Sequence, residues 1–176
     1  MGQMILRPAT PADVPALARL GHDSFVAAFG HLYSAENLNT FLDMVYSENA
    51  VRGEVEGSDC VHRLADDGTR LLGYVKLRYP SWYADDTPTN VRNPIALGQL
   101  YTQPDVTGQG IGAALMDWAI AEARRRRHDA IQLSVWAENF GAQRFYERYG
   151  FAKVADIDFW VGDHRDDEFL YELRLD

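Results

Sequence analysis

A strand that passes through a glycine-rich loop into a long helix constrains this chain more than any other feature. An apolar run from Ile95 ends at Leu100-Tyr101-Thr102, and Pro104 breaks it. Thr107-Gly108-Gln109-Gly110-Ile111-Gly112-Ala113 then leads into a helical pattern that runs to Arg127, with Ile111, Leu115, Trp118 and Ala119 on one face. Glycines remove side chains where a ligand would approach the backbone. The helix start adds unpaired N–H groups and the positive end of its dipole, so the segment suits phosphate.

Several phosphate-binding arrangements share this outline. A P-loop needs Lys and then Ser or Thr after its last glycine, and Ile111-Gly112 stands there instead. A dinucleotide loop is matched by Gly108, Gly110 and Ala113, but its glycines should follow the strand directly. Here residues 103–107 intervene, and Trp136-Ala137 occupies the end of the next strand, where an acidic ribose ligand belongs. A glycine-rich helix start with no ligand remains an alternative.

A second motif lies further along: Asn139-Phe140-Gly141-Ala142-Gln143-Arg144-Phe145-Tyr146-Glu147-Arg148-Tyr149-Gly150-Phe151. On a helix, Asn139 and Tyr146 lie within roughly 20° of each other and Ala142 within roughly 60°. One face thus carries an amide, a small residue and a phenol. The bland alternative makes Phe145, Tyr146 and Tyr149 core aromatics.

The two motifs together resemble those of the GCN5-related N-acetyltransferase (GNAT) superfamily. Its acyl-CoA loop reads Arg or Gln, two residues, Gly, one residue, Gly or Ala; Thr107, Gly110 and Gly112 hold those positions, with Thr107 a departure. The preceding Leu100, Tyr101 and Pro104, and the Asn139-to-Phe151 segment, also fit the superfamily. Phe159-Trp160-Val161-Gly162-Asp163 with Asp167, and Phe25, Phe29 and Tyr33, are similar to the branch that includes polyamine acetyltransferases of the PaiA type.

The rest of the chain agrees with an α/β reading. Met4–Arg7 is an expected first strand, and Thr10-Pro11 opens a helix through a capping hydroxyl and an N1 proline. A second helix starts near Ser34. Cys60–Ala65 and Leu71–Leu77 form an expected hairpin around Asp67-Gly68. Residues 80–94 form a loop, Ile131–Trp136 a buried strand, and Asn139–Gly150 a helix. Phe151–Phe159 and Phe169–Leu175 are the last strands, joined by the acidic Asp163–Glu168 as a turn. The expected fold is a single domain over 1–176: a twisted mixed sheet of about seven strands with about four helices, the GNAT fold. A splay between the strand ending at Thr102 and Ile131–Trp136 would admit a CoA arm.

Composition narrows the function. A formal net charge of −9 disfavours a nucleic-acid partner, whose phosphates need a basic field. The same field permits a cationic substrate. Arg124–Arg127 reads as a solvated helix end that opposes the dipole. No run approaches the roughly 20 apolar residues of a membrane span, and the start has no signal-peptide pattern, so a soluble cytoplasmic protein is expected. The lone Cys60 reads as a small strand residue, and the five histidines lack metal-ligand spacing. A homodimer through edge strands is compatible with the sequence, which does not display one.

The resemblance implies acetyl transfer from acetyl-CoA to the primary amine of a small molecule, with a polyamine as the finer expectation, within a ternary complex. Leu100, Tyr101 and Thr102 would pair with the pantetheine arm. Thr107, Gly108, Gln109, Gly110, Ile111, Gly112 and Ala113 would hold the pyrophosphate, and Asn139 and Ala142 would flank the thiol arm. Tyr146 would protonate the departing thiolate. Phe29, Tyr33, Trp82, Tyr83, Asp85 and Asp86 are candidate acceptor contacts. Many relatives carry Glu where Gln99 stands, and an amide cannot act as a base, so an acidic residue elsewhere or a water must do so. Alternatives are a protein or peptide N-acetyltransferase and a non-catalytic acyl-CoA-binding module.

Overall fold

The computed structural model describes residues 3–175. Its strands are β1 (Ile5–Pro8), β2 (Cys60–Asp66), β3 (Leu71–Arg78), β4 (Pro94–Thr102), β5 (Ala130–Trp136), β6 (Ala152–Val161) and β7 (His164–Arg174). They form one seven-stranded sheet in the order β1-β2-β3-β4-β5-β7-β6. Only the central β4–β5 pair is parallel, so the sheet is mixed, as expected.

The helices are α1 (Val14–Phe29), α2 (Ala35–Tyr46), α3 (Glu48–Glu56), α4 (Ile111–Arg125) and α5 (Phe140–Glu147). Thr10 and Asp13 form a capping box ahead of α1, with Pro11 at the first position of the 3-10 turn that leads in. The helix not foreseen is α3. Ser34 caps α2 by accepting from the Asn37 amide, and Ser47 repeats the device on Ala50 N–H. Each such cap is worth about 1 kcal/mol, enough to restart a helix directly after the previous one. Helix α5 stops at Glu147, three residues before Gly150. That glycine still ends the segment, at φ +97°, where a side chain would be strained.

The two faces of the sheet are covered differently. Leu115, Met116 and Ala119 of α4 pack on Val75, Ile95 and Ile131. On the other face, Val14 and Leu17 of α1 and Val51 of α3 pack on Leu64 and Tyr74. Phe25, Phe41 and Tyr46 form an aromatic cluster with Val161 of β6.

The acidic segment Asp163–Glu168 is not a turn. The β6–β7 reversal is made by Gly162-Asp163 alone, with Val161 opposite His164. Gly162 has φ +57°, and a Cβ there would lie 2.3 Å from Asn37 Oδ1. That close approach fixes the reversal four residues before Asp166, so His164–Glu168 run inside β7. The strand period of two then buries Asp166, Glu168, Leu170 and Glu172 on one face.

Candidate active site

The expected splay is present. Strands β4 and β5 pair only from Pro94–Ala96 to Ala130–Gln132 and then separate. On its other side β4 stays on β3 as far as Thr102 opposite Gly73. Lys76 faces Gln99 while Leu77 faces Leu97, which leaves Gly98 as a bulge that bends β4 away from β5. The gap forms a cleft of about 880 Å³, within the usual range for a small-molecule site. Leu100 and Tyr101 of β4 and Ser134 and Trp136 of β5 line its sides. Asn139 at the N-cap of α5, with Ala142 and Tyr146 of α5, line it from one face of the sheet, and Phe29, Tyr33 and Tyr46 from the other.

The glycine loop stands outside the cleft wall. Gly108 and Gly110 adopt φ +80° and +81°, and a Cβ on either would meet nothing within 4 Å. Gly110 occupies the N-cap of α4 without a side-chain cap. The first amide of this segment with a backbone acceptor is Ala114 N–H, bonded to Gly110 C=O; the amides of residues 108–113 have none among the described residues. Unpaired amides, a helix start and bare glycines thus converge on one open patch. Thr107 is exposed and donates its hydroxyl to Pro104 C=O at 3.3 Å. The Ile111 side chain is buried in the core, so only its backbone faces the patch.

Other expected site residues separate clearly. Trp82, Tyr83 and Asp86 line the cleft, whereas Asp85 is exposed at the outside of the same turn and does not. Asn139 spends its side-chain oxygen on Ala142 N–H at 3.2 Å, capping α5. The face that carries Asn139, Ala142 and Tyr146 is therefore held toward the cleft. Burial, with Tyr101 and Tyr83 adding to it, holds the Tyr146 phenol well above its ordinary pKa, so it is protonated at neutral pH. Its hydroxyl makes no hydrogen bond among the described residues, which leaves it available as a donor. Gln99 accepts from Tyr74 at 2.7 Å and is part of the wall.

The structure adds acidic groups that the sequence reading placed in a turn. Tyr33 donates to Asp166 Oδ2, and Asp166 Oδ1 lies 3.0 Å from His164 Nε2. Ser134 donates to Glu168 Oε1 at 2.8 Å. Both carboxylates line the cleft, as do Asp86 and Asp158. Burial pushes the Glu168 carboxyl up to about 7, against a lowering by the Ser134 hydrogen bond and with a further push from Asp166. The basic side chains in the wall are engaged: Lys76 with Glu54 at 2.8 Å, and Arg78 over the Trp82 ring at 4.9 Å. The signal for β7 was the short punctuation at Gly162, which the run of acids obscured.

The sequence pattern of the acetyltransferase (GNAT) family matches residues 22–151. The chain belongs to that family. This GNAT enzyme is similar to an uncharacterised N-acetyltransferase from Lactobacillus delbrueckii subsp. lactis, 24% identical over 93% of this chain and 92% of that one. It is 37% identical over 95 residues to a mycothiol acetyltransferase from Geodermatophilus obscurus, covering 52% of this chain and only 29% of that protein. Among solved structures, the PaiA N-acetyltransferase from Thermoplasma acidophilum, in complex with coenzyme A, superposes with a TM-score of 0.77 at 20% identity. It covers 98% of this chain and 99% of its own, which establishes the shared fold. Among the described residues no helix is long and apolar enough to cross a membrane.

Proposed function

We propose that this GNAT enzyme, acting as one catalytic domain, moves the acetyl group of acetyl-CoA to the primary amine of a small cationic molecule, by direct transfer in a ternary complex. The observation that carries this reading is the cleft through the splayed sheet, with a phenol donor from α5 on one face and buried carboxylates from β7 in its wall. Acidic walls attract an ammonium group and repel an anionic acceptor. A di- or polyamine suits them, with Trp82 and Tyr83 offering aromatic faces to a second cationic centre.

The chain's residues divide the work. The amides of the 108–113 patch hold the pyrophosphate, and the free edge of β4 at Leu100–Thr102 pairs with the pantetheine arm. A β4 main-chain N–H facing the splay donates to the thioester oxygen as it becomes an oxyanion, an interaction worth about 3 kcal/mol when well placed. Ala142 leaves room for the thiol arm beside α5. Tyr146 gives its proton to the departing thiolate. Thr107 lacks the charge or amide that most relatives carry there, so the pyrophosphate relies on backbone donors.

The test is thiol release with acetyl-CoA against spermidine, spermine, simple diamines, amino acids and short peptides, with a CoA-induced thermal shift recorded alongside. Turnover on the di- and polyamines is expected. Turnover confined to peptides would assign a protein acceptor, and a thermal shift without turnover would indicate a CoA-binding module.

A further inference from the structure

The inner face of β7 carries three buried carboxylates, and their partners differ. Glu172 is fully engaged: Thr89 donates to Oε1 at 2.8 Å, while Gln132 and Thr87 donate to Oε2 at 2.9 and 3.1 Å. Asp166 has Tyr33 on one oxygen and His164 on the other. Glu168 has Ser134 on Oε1 and no hydrogen-bond partner on Oε2 among the described residues. It is only 8% exposed, and it borders the cleft. A desolvated carboxylate with one free oxygen is a poor structural element, since burial without full hydrogen bonding costs stability. It is well suited to accept a proton from a group entering the cleft. Gln99, where many relatives carry an acid, cannot do so, and Tyr74 already occupies its oxygen.

Resting on the acetyl-transfer reading above, we propose that Glu168 is the general base that deprotonates the acceptor amine. Glu168 Oε2 takes one proton from the acceptor ammonium and leaves a lone pair on nitrogen. That nitrogen bonds to the thioester carbonyl carbon, and the C–S bond then breaks with its electrons on sulfur. Tyr146 protonates the thiolate and recovers a proton from the acylated nitrogen. Glu168 returns its proton to solvent through the cleft, so one proton is released per amide formed. Ser134 is a positioning residue that holds the carboxyl through Oε1.

The groups that face Glu168 are Asp166 on its own strand, Tyr33 from the segment after α1, Tyr83 from the 80–94 loop and Tyr101 on β4. Asp166 raises the carboxyl pKa, and the tyrosines remain neutral across the working range. A pH optimum set by Glu168 therefore has its acid limb near 7, where the buried carboxyl ionises.

The experiment is the pH dependence of kcat/KM for the best diamine acceptor in wild type, Glu168→Gln and Ser134→Ala, with CoA binding and thermal unfolding as controls. Wild type should rise to a plateau with a bend near 7. Glu168→Gln should lose about 10²-fold at pH 7.5, keep its CoA affinity, and show no bend, rising with the free-amine fraction toward pH about 10. Ser134→Ala should move the bend to higher pH, and it tests the assignment even if Glu168→Gln folds poorly. A Glu168→Gln enzyme within threefold of wild type with the same bend, or a bend that Ser134→Ala leaves in place, overturns the proposal. A wild type that binds CoA but acetylates no amine overturns the acetyl-transfer reading and this assignment together.

Discussion

Lys76 Nζ lies 2.8 Å from Glu54 Oε2, a pair that joins β3 to α3 in the wall of the cleft. The lysine is 4% exposed, and Glu54 is its ion-pair partner. The same ammonium, with burial as the larger cause, holds the His62 imidazole down at about 4, neutral at physiological pH. Removing the Glu54 charge strands a buried ammonium, whereas replacing the lysine with an apolar chain leaves a carboxylate that is 24% exposed and reaches water. Glu54→Gln should therefore lose about 3 kcal/mol in urea unfolding and Lys76→Met about 1 kcal/mol. The opposite order would show that the pair is not desolvated.

Tyr146 presents a protonated, unpartnered phenol to the cleft from the same face of α5 as Asn139 and Ala142. Tyr146→Phe should leave acetyl-CoA affinity within about tenfold and lower kcat about 10²-fold, the signature of an interaction made mainly in the transition state. Stopped turnover with bound CoA, measured by thiol release and calorimetry, separates this from a binding defect. Unchanged kcat removes Tyr146 from the mechanism.

Gly110 sits at φ +81° with open space where a Cβ would be. Gly110→Ala should cost about 1–2 kcal/mol of stability through the left-handed backbone. It should also raise KM for acetyl-CoA at least tenfold, because the methyl group enters the anion patch. Gly68, at φ +95° in the β2–β3 hairpin, provides the control: Gly68→Ala should reproduce the stability loss without the KM change. A KM increase in both variants would place the effect in folding rather than in the patch.

Glu168 also makes stability depend on pH. Its folded pKa of about 7 lies above the ordinary 4.5, so the folded chain binds this proton more tightly than the unfolded chain does. The stabilisation is complete below about 4.5 and is lost as pH rises through about 7. Glu168→Gln, which cannot ionise, should exceed wild type by up to ~3 kcal/mol at pH 8 and match it at pH 4. Chemical denaturation at the two pH values measures this, and an equal difference at both would show that the carboxyl is not desolvated.

The sequence by itself determined the features that depend on short-range periodicity. Gly108 and Gly110 before a helical stripe, and Asn139, Ala142 and Tyr146 on one helix face, were legible because backbone conformation and helix geometry act within a few residues. Their order along the chain sufficed to point to the family, and the alternation of strands and helices to a mixed sheet. The tertiary structure alone decided the rest. The cleft exists because Gly98 bulges β4 away from β5, a register event that shows only once β3 is paired. Glu168 and Asp166 reach the cleft because Gly162, packed against Asn37, makes the turn early and sets the strand period of β7. Tyr33 meets Asp166 across 133 positions of sequence. No local propensity specifies such a meeting; it follows from β7 lying beside β5 and from the aromatic cluster of α1 and α2 closing over the strand ends.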